Sequence, residues 1–95
     1  MDEELNTYRQ TAGALLVDVR SPQEYAGGHV PGSVNVPVEV IGQMTSVCPK
    51  KDTPLFVYCH SGVRSAQACS ALERAGYTDV NDLGGIIDYH GPIER

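Results

Sequence analysis

The segment 54–66, PLFVYCHSGVRSA, is the sequence feature that most constrains the fold. Residues 55–58 form a short apolar run of β-forming side chains between a proline and a group of polar and glycine residues, which predicts a buried strand. Over 65–75 the chain is rich in helix-forming residues, and Gly76 predicts the end of that helix. A strand that leads through a tight loop into a helix is typical of α/β proteins.

The loop between this strand and helix contains Cys59, followed by Gly62 and Arg64. Open α/β sheets bind ligands at the carboxyl ends of their strands, where Cys59 is expected to lie. The N–H groups and partial positive charge of a helix N-terminus lower the pKa of a nearby thiol from about 8.5 to roughly 3.5–7.5. We therefore expect a reactive thiolate at the base of an anion-binding loop, in which Gly62 allows the turn and Arg64 supplies a cation.

The rest of the chain alternates between predicted helices and strands. The helices are expected over 2–10, 22–27, 38–47 and 65–75, the strands over 14–19, 33–36, 55–58 and 77–83, and a last helical turn over 86–89. The SPQE motif at 21–24 is a capping box with proline at the first helical position. The glycine pair 84–85 predicts a hinge or a close-approach turn. This alternation predicts βαβ units and a largely parallel sheet within one domain, 1–95.

The composition excludes several classes of function. Seven Lys and Arg against twelve Asp and Glu give a formal net charge of −5, and no basic cluster exceeds Lys50-Lys51, so nucleic acid is not an expected partner. No apolar run approaches the ~20 residues that span a membrane. No secretory signal follows Met1, so we expect a cytoplasmic protein, or a periplasmic one if a signal peptide has been removed. The three cysteines form no CxxC motif, so neither a disulfide framework nor a metal site is predicted.

Three blocks of sequence resemble the rhodanese-like domain of single-domain sulfurtransferases. The first is the Cys-x4-Arg-Ser loop that begins at Cys59. The second is LVDVR at 16–20 with EY, GHVPGS and NVP after it, and the third is GY at 76–77 with LGGI at 83–86. The blocks keep the family's order and spacing over nearly the whole chain. This resemblance implies an α/β fold with a central, mostly parallel sheet of four or five strands flanked by helices on both faces.

The number of strands stays open at this point. The family's sheet usually has five strands and begins with one for which this sequence gives no clear signal. Either the sheet has four strands here, or a first strand lies near Leu5, where we predict a helix.

The resemblance implies that the chain is an enzyme, a thiosulfate sulfurtransferase. In this reaction the Cys59 thiolate takes a sulfane sulfur from a donor such as thiosulfate, carries it as a persulfide and gives it to a thiophilic acceptor, cyanide or a thiol. The scheme requires no metal or organic cofactor. The expected partners are the small-molecule donor and the acceptor, with a sulfur-relay protein as a further candidate, and the chain is expected to be a monomer or a weak dimer.

The residues expected to carry the reaction lie in the loop and at the end of the first long strand. Cys59 and Arg64 are the predicted catalytic residues. The predicted substrate-binding residues are His60, Ser61, Gly62, Val63, Ser65, Asp18 and Arg20. Two alternatives remain open: Arg64 in a salt bridge that holds the loop, and Arg20 in a pair with an aspartate or with Glu24 that braces the turn. Ser65 has a second possible role as a helix cap.

The position after the nucleophile departs from the family pattern. It is often a second arginine in the family, whereas here it is His60, and an imidazole is mostly neutral at pH 7. This departure weakens the expectation that thiosulfate is the natural donor. It does not weaken the expectation that the chain transfers sulfur.

The remaining cysteines and histidines receive structural roles or none. We expect His29 to be structural and Cys69 to lie in the core. Cys48 lies in a predicted loop, where resolution of the persulfide as a disulfide is a minor alternative. No role is assigned to His90.

Three other functions compete with this interpretation. Cysteine phosphatases and arsenate reductases have Cys-x5-Arg, one residue longer than this loop, because a tetrahedral oxyanion needs a wider ring of N–H donors than one sulfur atom. A non-catalytic interaction module of this family usually lacks the cysteine. A sulfur carrier that transfers sulfur to a protein remains open, because the sequence does not distinguish it from a free-standing enzyme.

Overall fold

A parallel sheet of four strands forms the centre of the computed structural model, which describes residues 1–95. The strands are β1 (Leu15–Asp18), β2 (Val34–Asn35), β3 (Leu55–Cys59) and β4 (Val80–Gly85), in the order β2-β1-β3-β4. Each neighbouring pair is parallel. This confirms the predicted α/β fold with a parallel sheet. The five-stranded alternative is wrong, since Leu5 lies in a helix and is fully buried.

Helices connect the strands and cover both faces of the sheet. The α-helices are α1 (Asp2–Gln10), α2 (Pro22–Gly27), α3 (Met44–Val47) and α4 (Val63–Arg74), and short 3₁₀ helices cover Val38–Gln43 and Ile86–Asp88. None of the helices combines the length and apolar character needed to cross a membrane.

Two apolar cores lie on opposite faces of the sheet, because successive side chains of a strand point in opposite directions. The larger core lies under α4 and contains Val17, Val19, Val36, Met44, Cys48, Leu55, Val57, Cys59, Ala68, Cys69, Leu72 and Tyr77. The smaller core lies under α1 and contains Leu5, Leu16, Val30, Phe56, Tyr58 and Leu83. Strand β3 contributes to both, so its carboxyl end is held rigidly between them.

The start of α2 is confirmed as a capping box. The Ser21 hydroxyl accepts a hydrogen bond from the Glu24 N–H at 3.2 Å, and Glu24 Oε1 accepts one from the Ser21 N–H at 3.0 Å. Such a cap is worth about 1 kcal/mol of helix stability. It also fixes the Glu24 side chain at the first turn of α2.

The predicted helix over 38–47 is interrupted. The segment Val38–Gln43 is a 3₁₀ helix with Val40 at φ −123° and ψ 29°, and only Met44–Val47 is α-helical. Branched side chains at 38, 40 and 41 and a glycine at 42 disfavour a regular α-helix here.

The boundaries of two other elements differ from the prediction by two residues or more. Helix α4 begins at Val63 and not at residue 65, because Gly62 takes φ +109° and starts the helix early. The fourth strand covers Val80–Gly85 and not 77–83. Tyr77 instead turns into the larger core, where its hydroxyl donates to the Cys48 carbonyl at 2.6 Å.

Candidate active site

The loop from β3 to α4 surrounds the sulfur of Cys59 with hydrogen-bond donors. The Gly62 N–H donates to Cys59 Sγ at 3.0 Å, across the turn that the positive φ of Gly62 makes possible. Burial raises the pKa of the Cys59 thiol, but hydrogen bonds from Ser65, Gly62 and Arg64 outweigh it, and the pKa lies below its ordinary value. The loop therefore stabilises this sulfur as a thiolate, as the sequence predicts for a cysteine at a helix N-terminus.

Cys59 is more enclosed than the sequence suggested. Cys59 is the last residue of β3, as expected, but only 1% of the residue is exposed and it packs within the larger core. The loop itself closes over the sulfur, since the Gly62 N–H lies in hydrogen-bonding contact with it. A cavity of about 210 Å³ lies elsewhere, between α1 and the segment 89–92.

The glycine pair 84–85 at the end of β4 packs against the cysteine loop. A Cβ atom on Gly85 would collide with the His60 carbonyl oxygen and lie 2.6 Å from the Ser61 Cα, so only glycine fits without displacing the loop. The Ile87 N–H donates to the same His60 carbonyl at 3.2 Å. The predicted close-approach turn at 84–85 thus has a concrete role: it lets the backbone of β4 pack directly against the cysteine loop.

Ser65 connects the loop to Asp82 on β4. The fully buried Ser65 hydroxyl lies 2.7 Å from Asp82 Oδ1 and 3.0 Å from the Gly62 carbonyl, and it also lowers the pKa of Cys59. Asp82 Oδ1 accepts a further bond from the Gly84 N–H at 2.9 Å. Asp82 was not predicted as a site residue. Asp82 reaches the loop because β4 aligns it with Val57 of β3 in the parallel register. The sequence alone does not give that register, so Asp82 could not be identified from it.

Arg64 binds a carboxylate from α2. Its Nη1 lies 2.7 Å from Glu24 Oε1 and its Nη2 lies 3.0 Å from Glu24 Oε2, an end-on bidentate pair with both side chains about one-third exposed. This pair is the main reason that the pKa of Glu24 falls to about 2. The alternative of a salt bridge that holds the loop is therefore the arrangement observed. Glu24 was predicted as a helix cap and as an alternative partner of Arg20. Its pairing with Arg64 was not predicted, because the two residues are 40 positions apart.

Asp18 and Arg20 form a buried pair on the opposite face of the sheet from Cys59. Arg20 Nη2 lies 2.7 Å from Asp18 Oδ2 and donates to the Gly28 carbonyl at 2.7 Å. Asp18 is aligned with Tyr58 of β3, whose side chain points to the smaller core, whereas Cys59 points to the larger one. The structure therefore corrects the substrate-binding assignment of both residues: they brace the turn after β1.

The other predicted loop residues surround Cys59 at the surface. His60, Ser61 and Val63 are exposed, and Gly62 is half-buried at the turn. The predicted binding residues of the loop, Ser65 included, therefore lie together, whereas Asp18 and Arg20 lie apart from them.

The two other cysteines are free and differ from Cys59 in their surroundings. Cys69 is buried in α4, where burial and the charges of Asp82 and Glu73 raise its pKa to about 12, as expected for a core thiol. Cys48 is also buried, and its Sγ lies 3.7 Å from the Lys50 carbonyl.

The histidines away from the loop make structural contacts. The ring of His29 stacks on Tyr25 with ring centroids 3.7 Å apart, and its Nε2 lies 3.4 Å from Glu94, in line with the expected structural role. His90 contacts Asp2 of α1 at 2.7 Å.

Comparisons with known proteins agree with this fold. A model of the rhodanese-like domain family matches residues 1–90. The chain is 44% identical over 84 residues to a sulfurtransferase of Allochromatium vinosum, and the match covers 85% of this chain and 78% of the relative. It is 39% identical over 77 residues to the thiosulfate sulfurtransferase PspE of Escherichia coli, covering 80% and 74% of the two chains. A solved structure described as rhodanese with anions from E. coli superimposes with a TM-score of 0.80 at 34% identity, covering 86% of this chain and 98% of that one.

Proposed function

The chain belongs to the rhodanese-like domain family, and we propose that it transfers a sulfane sulfur from a donor to a thiol or cyanide through a persulfide on Cys59. Its similarity to sulfurtransferases along most of both chains supports the reaction class. The observation that carries the proposal is the hydrogen bond from the Gly62 N–H to Cys59 Sγ at the N-terminus of α4. A sulfur atom held there is stabilised as the thiolate, which is the form that attacks another sulfur.

In the first half-reaction the Cys59 thiolate attacks the outer sulfur of the donor. A bond forms between Sγ and that sulfur, the bond from that sulfur to the rest of the donor breaks, and the leaving group departs with the bonding electron pair. With thiosulfate as donor, the products are the persulfide anion and sulfite, and the total charge is unchanged. Cys59 thus stores one sulfur atom as a covalent intermediate without an external oxidant or reductant.

In the second half-reaction the acceptor attacks the outer sulfur of the persulfide. Cyanide becomes thiocyanate and a thiolate becomes a new persulfide, while Sγ departs with the bonding pair as a thiolate. The hydrogen bonds that lower the pKa of Cys59 favour this step as well, because a thiol of lower pKa is a better leaving group.

Between the two steps, the N–H groups of the loop are positioned to stabilise the negative charge on the persulfide. One such donor contributes about 2.7–4 kcal/mol in comparable oxyanion sites. Arg64 assists through its charge, which the paired Glu24 moderates.

Phosphatase activity is not expected from this site. Four residues separate Cys59 from Arg64, so the loop has fewer N–H donors than the Cys-x5-Arg loop that surrounds a tetrahedral phosphate, while one transferred sulfur atom needs only a small ring of donors. Wild-type protein should therefore not hydrolyse an aryl phosphate. Hydrolysis that disappears in Cys59→Ser would contradict this.

Intact-mass spectrometry after incubation with thiosulfate tests the proposed function. Wild type should gain one sulfur atom and lose it again when cyanide is added. Cys59→Ser should gain none, whereas Cys69→Ala serves as a matched control and should behave as wild type. A sulfur that is carried equally by Cys59→Ser would place the persulfide on another residue and refute the proposal.

A further inference from the structure

Carboxylates outnumber cations around the Cys59 loop. Arg64 is the single arginine or lysine between residues 59 and 65, and Glu24 occupies both of its terminal nitrogens at 2.7 and 3.0 Å. The charge of Glu39, from the 3₁₀ helix at 38–43, also acts on Arg64. On the other side of the loop, Asp82 lies 2.7 Å from the Ser65 hydroxyl. The one fixed positive charge of the loop is therefore already balanced before a donor arrives.

We propose that Glu24 is a specificity-determining residue, which neutralises Arg64 and thereby makes the site favour singly charged or uncharged sulfur donors over doubly charged thiosulfate. The donor class that fits is the persulfide of a thiol. This inference rests on the sulfur transfer proposed above and adds the identity of the donor.

The charge balance of the two reactions explains the preference. Thiosulfate brings two negative charges to the Cys59 thiolate and leaves sulfite, a dianion, beside the new persulfide. A persulfide donor R–S–SH is attacked at its outer sulfur, and R–S⁻ leaves with the bonding pair and a single charge, which a proton from water then neutralises. Like charges at short distance repel, and the only arginine or lysine of the loop, Arg64, is already paired with Glu24. The second charge of sulfite is therefore not balanced by an unpaired cation of the loop.

The geometry of Glu24 provides a variant that changes charge and little else. Glu24 Oε1 accepts from the Ser21 N–H at 3.0 Å and from Arg64 Nη1, and Oε2 accepts from Arg64 Nη2. In Glu24→Gln the amide oxygen can keep the first two bonds, so the capping box and one contact with Arg64 remain. The variant removes the negative charge and one hydrogen bond.

Steady-state kinetics with a matched pair of donors tests the proposal. Thiosulfate and methanethiosulfonate both present a sulfane sulfur on a tetrahedral group, but methanethiosulfonate has a methyl group in place of one oxygen and so carries one charge less. Coulomb energy is proportional to the donor's charge, so we expect KM to fall about 10-fold for thiosulfate and about 3-fold for methanethiosulfonate in Glu24→Gln. Both effects should shrink at 1 M salt.

In wild type, kcat/KM for hydroxyethyl persulfide should exceed that for thiosulfate by at least about 10-fold.

Glu3→Gln is the control, because it makes the same change in net charge on α1, across the sheet from Cys59, and should leave every KM unchanged. A rise of KM in Glu24→Gln by the same factor for both donors would make Glu24 a residue that only positions Arg64, and would overturn the proposal. So would an unchanged KM, or a wild-type preference for thiosulfate over the persulfide. If no donor loads sulfur onto wild-type Cys59, the proposed function itself fails. If donors load sulfur but Glu24→Gln does not change KM as expected, only the proposed donor selection fails.

Discussion

Cys59 and Cys69 lie ten positions apart in the chain, pack in the same core on the same face of the sheet, and are both buried, with 1% and 8% of each residue exposed. Burial acts on the pKa of both thiols in the same upward direction. The outcome is nevertheless opposite: the pKa of Cys59 is lowered, whereas that of Cys69 rises to about 12. Exposure therefore does not decide which cysteine is reactive.

The difference lies in the backbone N–H groups within reach of each sulfur. Cys59 precedes the first turn of α4, where N–H groups have no partner within the helix, and the Gly62 N–H is directed to its Sγ. Cys69 lies in the middle of the same helix, where the N–H groups bond to carbonyls one turn back, and its neighbours Asp82 and Glu73 are negatively charged. The pKa of the cysteine at the start of one helix is therefore lowered, and the pKa of the cysteine in its interior is raised.

The largest expected effect of this difference is on catalysis. Cys59→Ser should abolish sulfur transfer to cyanide, with a loss of at least about 10³-fold, because the nucleophile is removed. Cys69→Ala should keep the rate within about 2-fold. Thiocyanate formation measures both. Loss of transfer in Cys69→Ala, with a circular dichroism spectrum like that of wild type, would contradict the contrast.

The second prediction concerns the backbone under the loop. Gly85→Ala should lower the transfer rate about 10- to 100-fold and destabilise the fold by about 1–3 kcal/mol, because the added Cβ forces the backbone at His60 and Ser61 to move. Gly27→Ala, whose Cβ meets no atom within 4 Å, is the matched control. Urea denaturation and the cyanide assay check the two effects. Equal behaviour of the two variants would show that the loop does not depend on this contact.

A smaller effect is expected from the side chain that joins the loop to β4. Ser65→Ala removes one hydrogen bond that lowers the pKa of Cys59, so the transfer rate at pH 7 should fall about 3- to 10-fold. Raising the pH to 9 should recover much of this loss, since the thiolate then forms without help. Ser70→Ala, an exposed position on the same helix, should change neither rate. A loss in Ser65→Ala that is independent of pH would indicate a different role.

The smallest predicted effect is on stability and has opposite signs at the two cysteines. The folded-state pKa of Cys59 is below its unfolded value, so its stabilising contribution is lost as pH falls and increases as pH rises from 7 to 9. The folded-state pKa of Cys69, about 12, is above its unfolded value, so its contribution decreases above about pH 8.5, by about 1 kcal/mol at pH 9.5. Urea midpoints of wild type, Cys59→Ala and Cys69→Ala across this range measure both slopes. Slopes of the same sign would be evidence against the comparison.

The local parts of this arrangement could be predicted from the sequence. The apolar run at 55–58, the cysteine after it and the helix-forming residues from 65 onward place a thiol at a helix N-terminus without knowledge of any long-range contact. The capping box at 21–24 was confirmed for the same reason. The segment 38–47 was predicted wrongly, because branched side chains and a glycine override the helical pattern. The start of the fourth strand was also wrong, since it lies at Val80 and not at residue 77.

The long-range parts could not be predicted. Asp18 and Cys59 both end strands, but the register aligns Asp18 with Tyr58, and this one-residue offset directs the two side chains to opposite faces. The contacts of Arg64 with Glu24 and of Ser65 with Asp82 likewise depend on how strands and helices pack, and no pattern within one segment contains that information. The sequence therefore predicts the nucleophile, while the residues that tune it require the fold.

The central claim is that the backbone of the loop ionises a buried thiol, and the pH dependence of alkylation by iodoacetamide tests it most directly. Mass mapping of the modified peptides gives the rate at Cys59 and at Cys69 separately within one sample. We predict that Cys59 reacts with a midpoint below the pH of about 8.5 that is typical of a free cysteine, and that Cys69 stays essentially unmodified through pH 9. A Cys59 midpoint at or above that of a free cysteine, or equal rates at the two sites, would contradict the account.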